Sequence, residues 1–209
     1  MEKLERKNHW EKIYETKELK DVSWFQPTPK TSLDFIKEFN VPLEAKIIDV
    51  GGGDSYLVDN LLELGFTDIT ILDISEKALQ KAKIRLGSKA NKVKWIVADA
   101  ADFVPPEKYD FWHDRAAFHF LVNQNEIDKY IYTVKTNLNE NGVFVVGTFS
   151  ENGPTKCSGI EIKQYSESKL SQLLSKFFKK VKCIVVDHTT PFNTIQNFVF
   201  CSFRNLHSI

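Results

Sequence analysis

Residues Ile47-Ile48-Asp49-Val50-Gly51-Gly52-Gly53-Asp54-Ser55 read as a β-branched strand running into three consecutive glycines, then a helix beginning near Asp54. Glycines at such a turn permit positive φ and remove the β-carbons that would hold a ligand off the backbone. A tight turn with no ligand is the plain alternative, but three glycines exceed what the turn itself needs. The dinucleotide spacing Gly-x-Gly-x-x-Gly is broken, because Tyr56 stands three residues after Gly53. Asp54 at the helix start would also repel a pyrophosphate. An unphosphorylated ligand carrying positive charge fits better.

Outward from this stretch, short apolar runs alternate with amphipathic patterns. The runs are 46–50, 69–73, 93–97, 109–113, 143–147, 181–186 and 198–201, and their length and β-branched content suit strands buried on both faces. Between them, Leu57, Val58, Leu61 and Leu62 line one helical face. Ser75 is placed to cap a helix burying Ala78, Leu79, Ala82 and Leu86. Asn123 is placed to cap a third, with Glu126 in capping-box position, and Leu170, Leu173, Leu174 and Phe177 mark a fourth. Strict alternation predicts an α/β fold: a doubly wound, mostly parallel seven-stranded sheet with helices on both faces. About ten residues, Asp187 to Gln196, join the last two strands. That is too short for a helical crossover and predicts a C-terminal antiparallel hairpin.

Two further carboxylates fall where strands end. Asp73, after the second strand, can accept two hydrogen bonds from a ribose diol, or simply precede the helix as a turn residue. Asp99, after the third, can accept from an adenine amino group while Ala100 offers a backbone N–H. Glycine turn, acid and Asp-Ala after three successive strands converge on one sheet edge, where ligands of such folds bind.

The 209 residues fit one domain, 1–209, with an N-terminal helical cap over 1–42 and a Rossmann-like core over 43–209. Formal net charge is zero, which gives no electrostatic footprint for nucleic acid or an anionic membrane. Cys157, Cys183 and Cys201 show no Cys-x-x-Cys spacing; Cys183 and Cys201 read as small core residues, and neither a disulfide framework nor a metal site is expected. The charged start of the chain shows no signal peptide, and no apolar run is long enough to span a bilayer, so a cytoplasmic compartment is the expectation.

Together these motifs resemble those of the class I S-adenosylmethionine (SAM) dependent methyltransferases. Asp49-Val50-Gly51-Gly52-Gly53 is similar to their first motif, Leu72-Asp73-Ile74-Ser75 to their second and Ala98-Asp99-Ala100 to their adenine contact; the likeness covers roughly residues 43 to 204. His9-Trp10-Glu11-Lys12-Ile13-Tyr14 and Ser23-Trp24-Phe25-Gln26-Pro27 look like the N-terminal cap of a small subgroup. Trp112-His113-Asp114-Arg115-Ala116-Ala117 is similar to the Trp-Asp-Arg-Gly/Ala-Ala stretch of thiopurine-type enzymes, with His113 inserted. The resemblance implies SAM as cofactor, bound by Gly51, Gly53, Asp73, Ile74, Asp99 and Ala100, with Trp10 and Tyr14 closing over it.

His113, Asp114, Arg115 and His119 follow the fourth strand, beside the expected methyl position. His113 is placed with the cofactor-binding set. His119 is the candidate base or a buried helix-face histidine. Arg115 is the candidate clamp on an anionic substrate or the partner of a nearby acid. Trp10 and Trp24 form a lid, or plug the open sheet edge. Without an Asn/Asp-Pro-Pro-Tyr motif after strand four, a nucleic-acid acceptor is disfavoured. A small-molecule acceptor is expected, with protein lysine methylation as the alternative. An NAD-dependent oxidoreductase and a non-enzymatic SAM-binding module rank lower.

Overall fold

The computed structural model describes residues 3–205; the first two and last four positions of the expected domain lie outside the described residues. Its centre is a seven-stranded sheet. Strands β1 (Lys46–Val50), β2 (Asp68–Asp73), β3 (Val93–Val97), β4 (Tyr109–Arg115) and β5 (Leu138–Phe149) run parallel. A two-stranded ribbon, β6 (Lys156–Cys157) and β7 (Ile160–Glu161), follows β5. The chain then returns through β8 (Phe178–Thr189) and β9 (Ile195–Asn205), giving the order β3-β2-β1-β4-β5-β9-β8 with β9 antiparallel to both neighbours. The order reverses between β1 and β4, so the crevice for a ligand opens at their carboxyl ends.

Period-two alternation builds both cores. Ile48, Val50, Trp112 and Phe144 face α5 (Gln124–Asn137) and α6 (Glu167–Leu174). Ile47, Phe111, Val143 and Val145 face α2 (Lys30–Glu38), α3 (Leu57–Glu63) and α4 (Glu76–Leu86). Helix α1 (Lys3–Thr16) carries few apolar groups and docks largely through polar contacts on the amino end of α4.

Several local expectations are met and others corrected. Ser75 Oγ accepts from Ala78 N–H and Asn123 accepts from Asn125 N–H, as caps should. Glu126, expected to complete a capping box, instead pairs with Arg6 at 2.5 Å. Helix α3 starts at Leu57 rather than near Asp54. The final hairpin is tighter than the ten-residue link expected, because pairing continues through His188↔Gln196 and Thr189↔Ile195. Cys183 and Cys201, expected as separate core residues, lie directly opposite one another on β8 and β9 and are joined in a disulfide, Cα–Cα 4.1 Å. Cross-strand register produced the pair; linear spacing did not display it. Among the described residues no helix is long and apolar enough to cross a membrane, and no cluster of metal-ligating side chains occurs.

Candidate active site

A cavity with about 1000 Å³ of empty space, open mouth included, lies over the carboxyl ends of β1, β2 and β4. Its floor is the glycine turn. Gly51 has φ +69°, and a β-carbon there would lie 2.6 Å from Ala117 Cβ, so the turn after β1 and the turn after β4 touch only because position 51 has no side chain. Gly53 has φ +48° and packs under Tyr14 of α1, where a β-carbon would meet the phenol oxygen at 2.6 Å. Gly51 therefore lines the cavity, while Gly53 is screened from it by Tyr14.

Asp54 corrects part of the argument against phosphate. Its carboxylate is paired with Arg85 of α4, which also holds Asp59, and it takes no part in the cavity wall. The charge expected to repel pyrophosphate is neutralised by Arg85, a residue no motif singled out. The broken glycine spacing is what remains of that argument.

The two strand-end acids stand on the wall together with Ile74 and Ala100. Asp73 is 6% exposed; burial pushes its pKa up to about 7 although Oδ1 accepts from Ser75 N–H at 2.8 Å. Asp99 Oδ1 accepts from Ala101 N–H at 3.0 Å and from Arg6 at 3.3 Å. Its Oδ2 is buried with no partner, an acceptor left over in the wall. Arg6, buried between Asp99 and Glu126, was not recognised from the sequence. Its carboxylates come from more than ninety positions further along the chain, so no local pattern marks it.

The last three residues of β4 separate into three roles. His113 is fully engaged by the protein: Nδ1 lies 2.7 Å from Asp49 Oδ1 and Nε2 lies 2.9 Å from Ser32 Oγ. With the carboxylate accepting, Nδ1 carries the proton and Nε2 accepts from the serine, so the ring offers the cavity a surface but no hydrogen bond. It does line the cavity, as a residue of the expected cofactor-binding set should. Asp114 accepts from Ala117 N–H, Phe118 N–H and the Tyr130 hydroxyl, holding a turn in which Ala116 has φ +67°. Arg115 reaches the cavity, makes a single long hydrogen bond to the Trp24 carbonyl at 3.4 Å, and forms no ion pair among the described residues.

His119 is corrected as a base. It lies outside the cavity wall, between Phe120 and Phe149, and its Nδ1 accepts from Phe149 N–H at 3.3 Å. Burial pushes its pKa down to about 3, so the ring is neutral and faces no acceptor. A helical pattern marked the residue without showing which way the turn would face.

Aromatic rings close the cavity from above. Trp10 packs edge-on against Trp24 at 5.8 Å and Phe120 at 5.1 Å, and tilts over Tyr14 at 6.3 Å. Glu11 ties this helix down: its carboxylate accepts from Ser75 Oγ, Glu76 N–H and Lys77 N–H at 2.8–3.1 Å. Burial would raise its pKa, but these hydrogen bonds hold it below the ordinary carboxylate value. Cys157, buried on the β6–β7 ribbon, and Gln196 and Phe198 of β9 complete the far wall. Gln196 Oε1 is buried without a partner. The sequence placed Gln196 only at the edge of a linker; the hairpin's register carries it to the site.

Comparison with known proteins agrees with this geometry. A methyltransferase-domain family model matches residues 44–197. The eEF1A lysine and N-terminal methyltransferase of Bos taurus is 25% identical over 121 residues, 58% of this chain and 16% of that protein. Malonyl-[acyl-carrier protein] O-methyltransferase 1 of Ilyobacter polytropus is 29% identical over 104 residues, 49% of this chain and 37% of that protein. These matches thus span well under two thirds of the relatives' length. In fold, the chain superposes on the Burkholderia thailandensis 1,6-didemethyltoxoflavin-N1-methyltransferase, solved with its acceptor and S-adenosylhomocysteine (SAH). The TM-score is 0.76 at 16% identity, covering 97% of this chain and 88% of that one. With a matching model over most of its length and a seven-stranded sheet of the expected order, the chain belongs to the class I SAM-dependent methyltransferases.

Proposed function

We propose that this chain transfers the methyl group of SAM to a small-molecule acceptor. The wall suits the cofactor. Asp73 is positioned to accept from the ribose hydroxyls, the unpartnered Asp99 Oδ2 to accept from the adenine amino group, and Ala100 to offer its N–H beside it. Gly51 and Gly52 leave bare backbone for the amino-acid end, and Ile74 contributes apolar wall beside Asp73. The bound cofactor supplies an electrophilic methyl on a sulfonium. The chain's task is to align the acceptor and keep water out, which can supply roughly 7–11 kcal/mol in favourable cases. Residues up to about 42 act as the lid, with Trp10, Tyr14 and Trp24 as its inner face. With His119 neutral and off the wall, no histidine is assigned as a base, and the acceptor is one already nucleophilic at working pH.

The observation that carries the choice of acceptor is Arg115. An unpaired guanidinium in a partly dehydrated cavity repels a protein lysine's ammonium and favours an acceptor with anionic or hydrogen-bond-accepting groups. Lysine methylation, named for the Bos taurus relative, is the second reading. Calorimetry should give binding of SAM and SAH and none of NAD. With methyl-labelled SAM and cell extract, label is expected in the soluble small-molecule fraction. Label confined to precipitated protein would reverse the choice.

A further inference from the structure

The end of β4 opens on two sides. Arg115 and Phe198 line the cavity described above and also a second hollow of about 840 Å³, open mouth included. One wall of that hollow is sheet, where an apolar patch of Val186, Phe198 and Phe200 stands among Asp187, His188 and Thr189. The other is the segment entering α2, with Phe25, Thr28 and Thr31. This segment is pinned to the sheet edge by His188, whose Nδ1 lies 2.9 Å from the Gln26 amide and whose Nε2 donates to the Ser23 carbonyl at 2.7 Å. Three charged side chains touch the hollow. Lys30 is paired with Asp34, and Asp187 accepts from Asn197 at 2.6 Å. Arg115 makes no ion pair among the described residues, although the charge of Asp49 on the first-cavity wall acts on it, and it stands where the two spaces meet. On the first-cavity side, Gln196 contributes its unpartnered buried Oε1.

We propose that the second hollow is the rear chamber of the acceptor site. Its occupant is the apolar tail of an elongated small molecule whose carboxylate, or an anion of like charge, rests on Arg115 at the junction. The nucleophilic end, an uncharged amine, then faces the first cavity, where Gln196 Oε1 accepts its N–H. The proposal rests on the reading that the first cavity holds SAM. A half-buried guanidinium with one 3.4 Å hydrogen bond has donors to spare, and a ligand anion supplies an acceptor for them. The apolar wall beyond it explains why that anion would carry a hydrophobic extension.

The test is calorimetry on the full chain saturated with SAH, titrated with 4-phenylbutyrate and with 4-phenyl-1-butanol. The acid is expected to bind at least tenfold more tightly than the alcohol. Arg115→Gln should abolish that preference, and Thr31→Phe or Thr28→Trp, which fill the hollow, should weaken phenylbutyrate at least tenfold. SAH affinity in all three variants should stay within twofold, which also reports that they fold. Equal binding of acid and alcohol, or phenylbutyrate affinity untouched by filling the hollow, overturns the rear chamber. A tenfold loss of SAH affinity in Arg115→Gln overturns it too, by showing that Arg115 holds the cofactor's own carboxylate. Failure of the wild-type chain to bind SAH removes the cofactor reading and the chamber with it; normal SAH binding without acid preference removes the chamber alone.

Discussion

Asp73, the proposed ribose contact, is held at a cost to the fold. Burial raises its pKa to about 7 and that of Asp114 to about 6, so the folded state favours their protonated forms. Each therefore contributes stability at low pH that is lost as pH rises through its folded value. Asp73→Asn should melt higher than wild type at pH 8, with the gain shrinking toward pH 5, where Asp73 is protonated in the fold. The same variant should lose about 1–3 kcal/mol of SAH affinity at pH 8, since a charged acceptor is gone. Melting curves at both pH values and a calorimetric titration check this; a gain independent of pH would contradict it. Gly51→Ala tests the floor. A left-handed φ costs an L-residue about 1–2 kcal/mol, and the methyl meets Ala117 as well, so denaturant unfolding should show a loss of at least about 2 kcal/mol.

Among the elements, α1 is the one whose place depends on a few polar contacts. Its apolar content is low, and Glu11 joins it to the first turn of α4, where exposed N–H groups and the helix dipole favour a carboxylate. Glu11→Ala should weaken that docking by about 1 kcal/mol. Hydrogen exchange should rise over residues 3–16 while β1 stays protected, and SAH should dissociate faster. Equal exchange in both proteins would make the aromatic packing of Trp10 and Tyr14, rather than Glu11, the fastener. At the other end of the sheet, β8 is an edge strand whose Lys179 and Lys180 are exposed, a pattern that discourages pairing with another chain.

Across the whole molecule, the terminal hairpin both closes the sheet and reaches the active site. The Cys183–Cys201 bridge spans 18 positions of the chain. Loop-closure entropy gives such a link about 3 kcal/mol. Cys201→Ala, or wild type in reductant, should unfold at correspondingly lower denaturant, and identical midpoints would show that the bridge adds nothing. Much of this architecture was legible beforehand. Alternating strand and helix patterns, the glycine triplet and acids at two strand ends depend on neighbours along the chain, so residues 46–53, 73 and 99 announced the sheet and the proposed cofactor edge. Gln196, Arg6 and the pairing of Asp54 with Arg85 did not show, because each gains its meaning from partners far off in sequence. His119 and Arg115, four positions apart, read alike as candidates until one was folded into aromatic packing and the other left bare at a junction of two cavities. Hydrophobic period and turn chemistry are written locally. Charge compensation and solvent access depend on separation in space, which exists only once the sheet has closed.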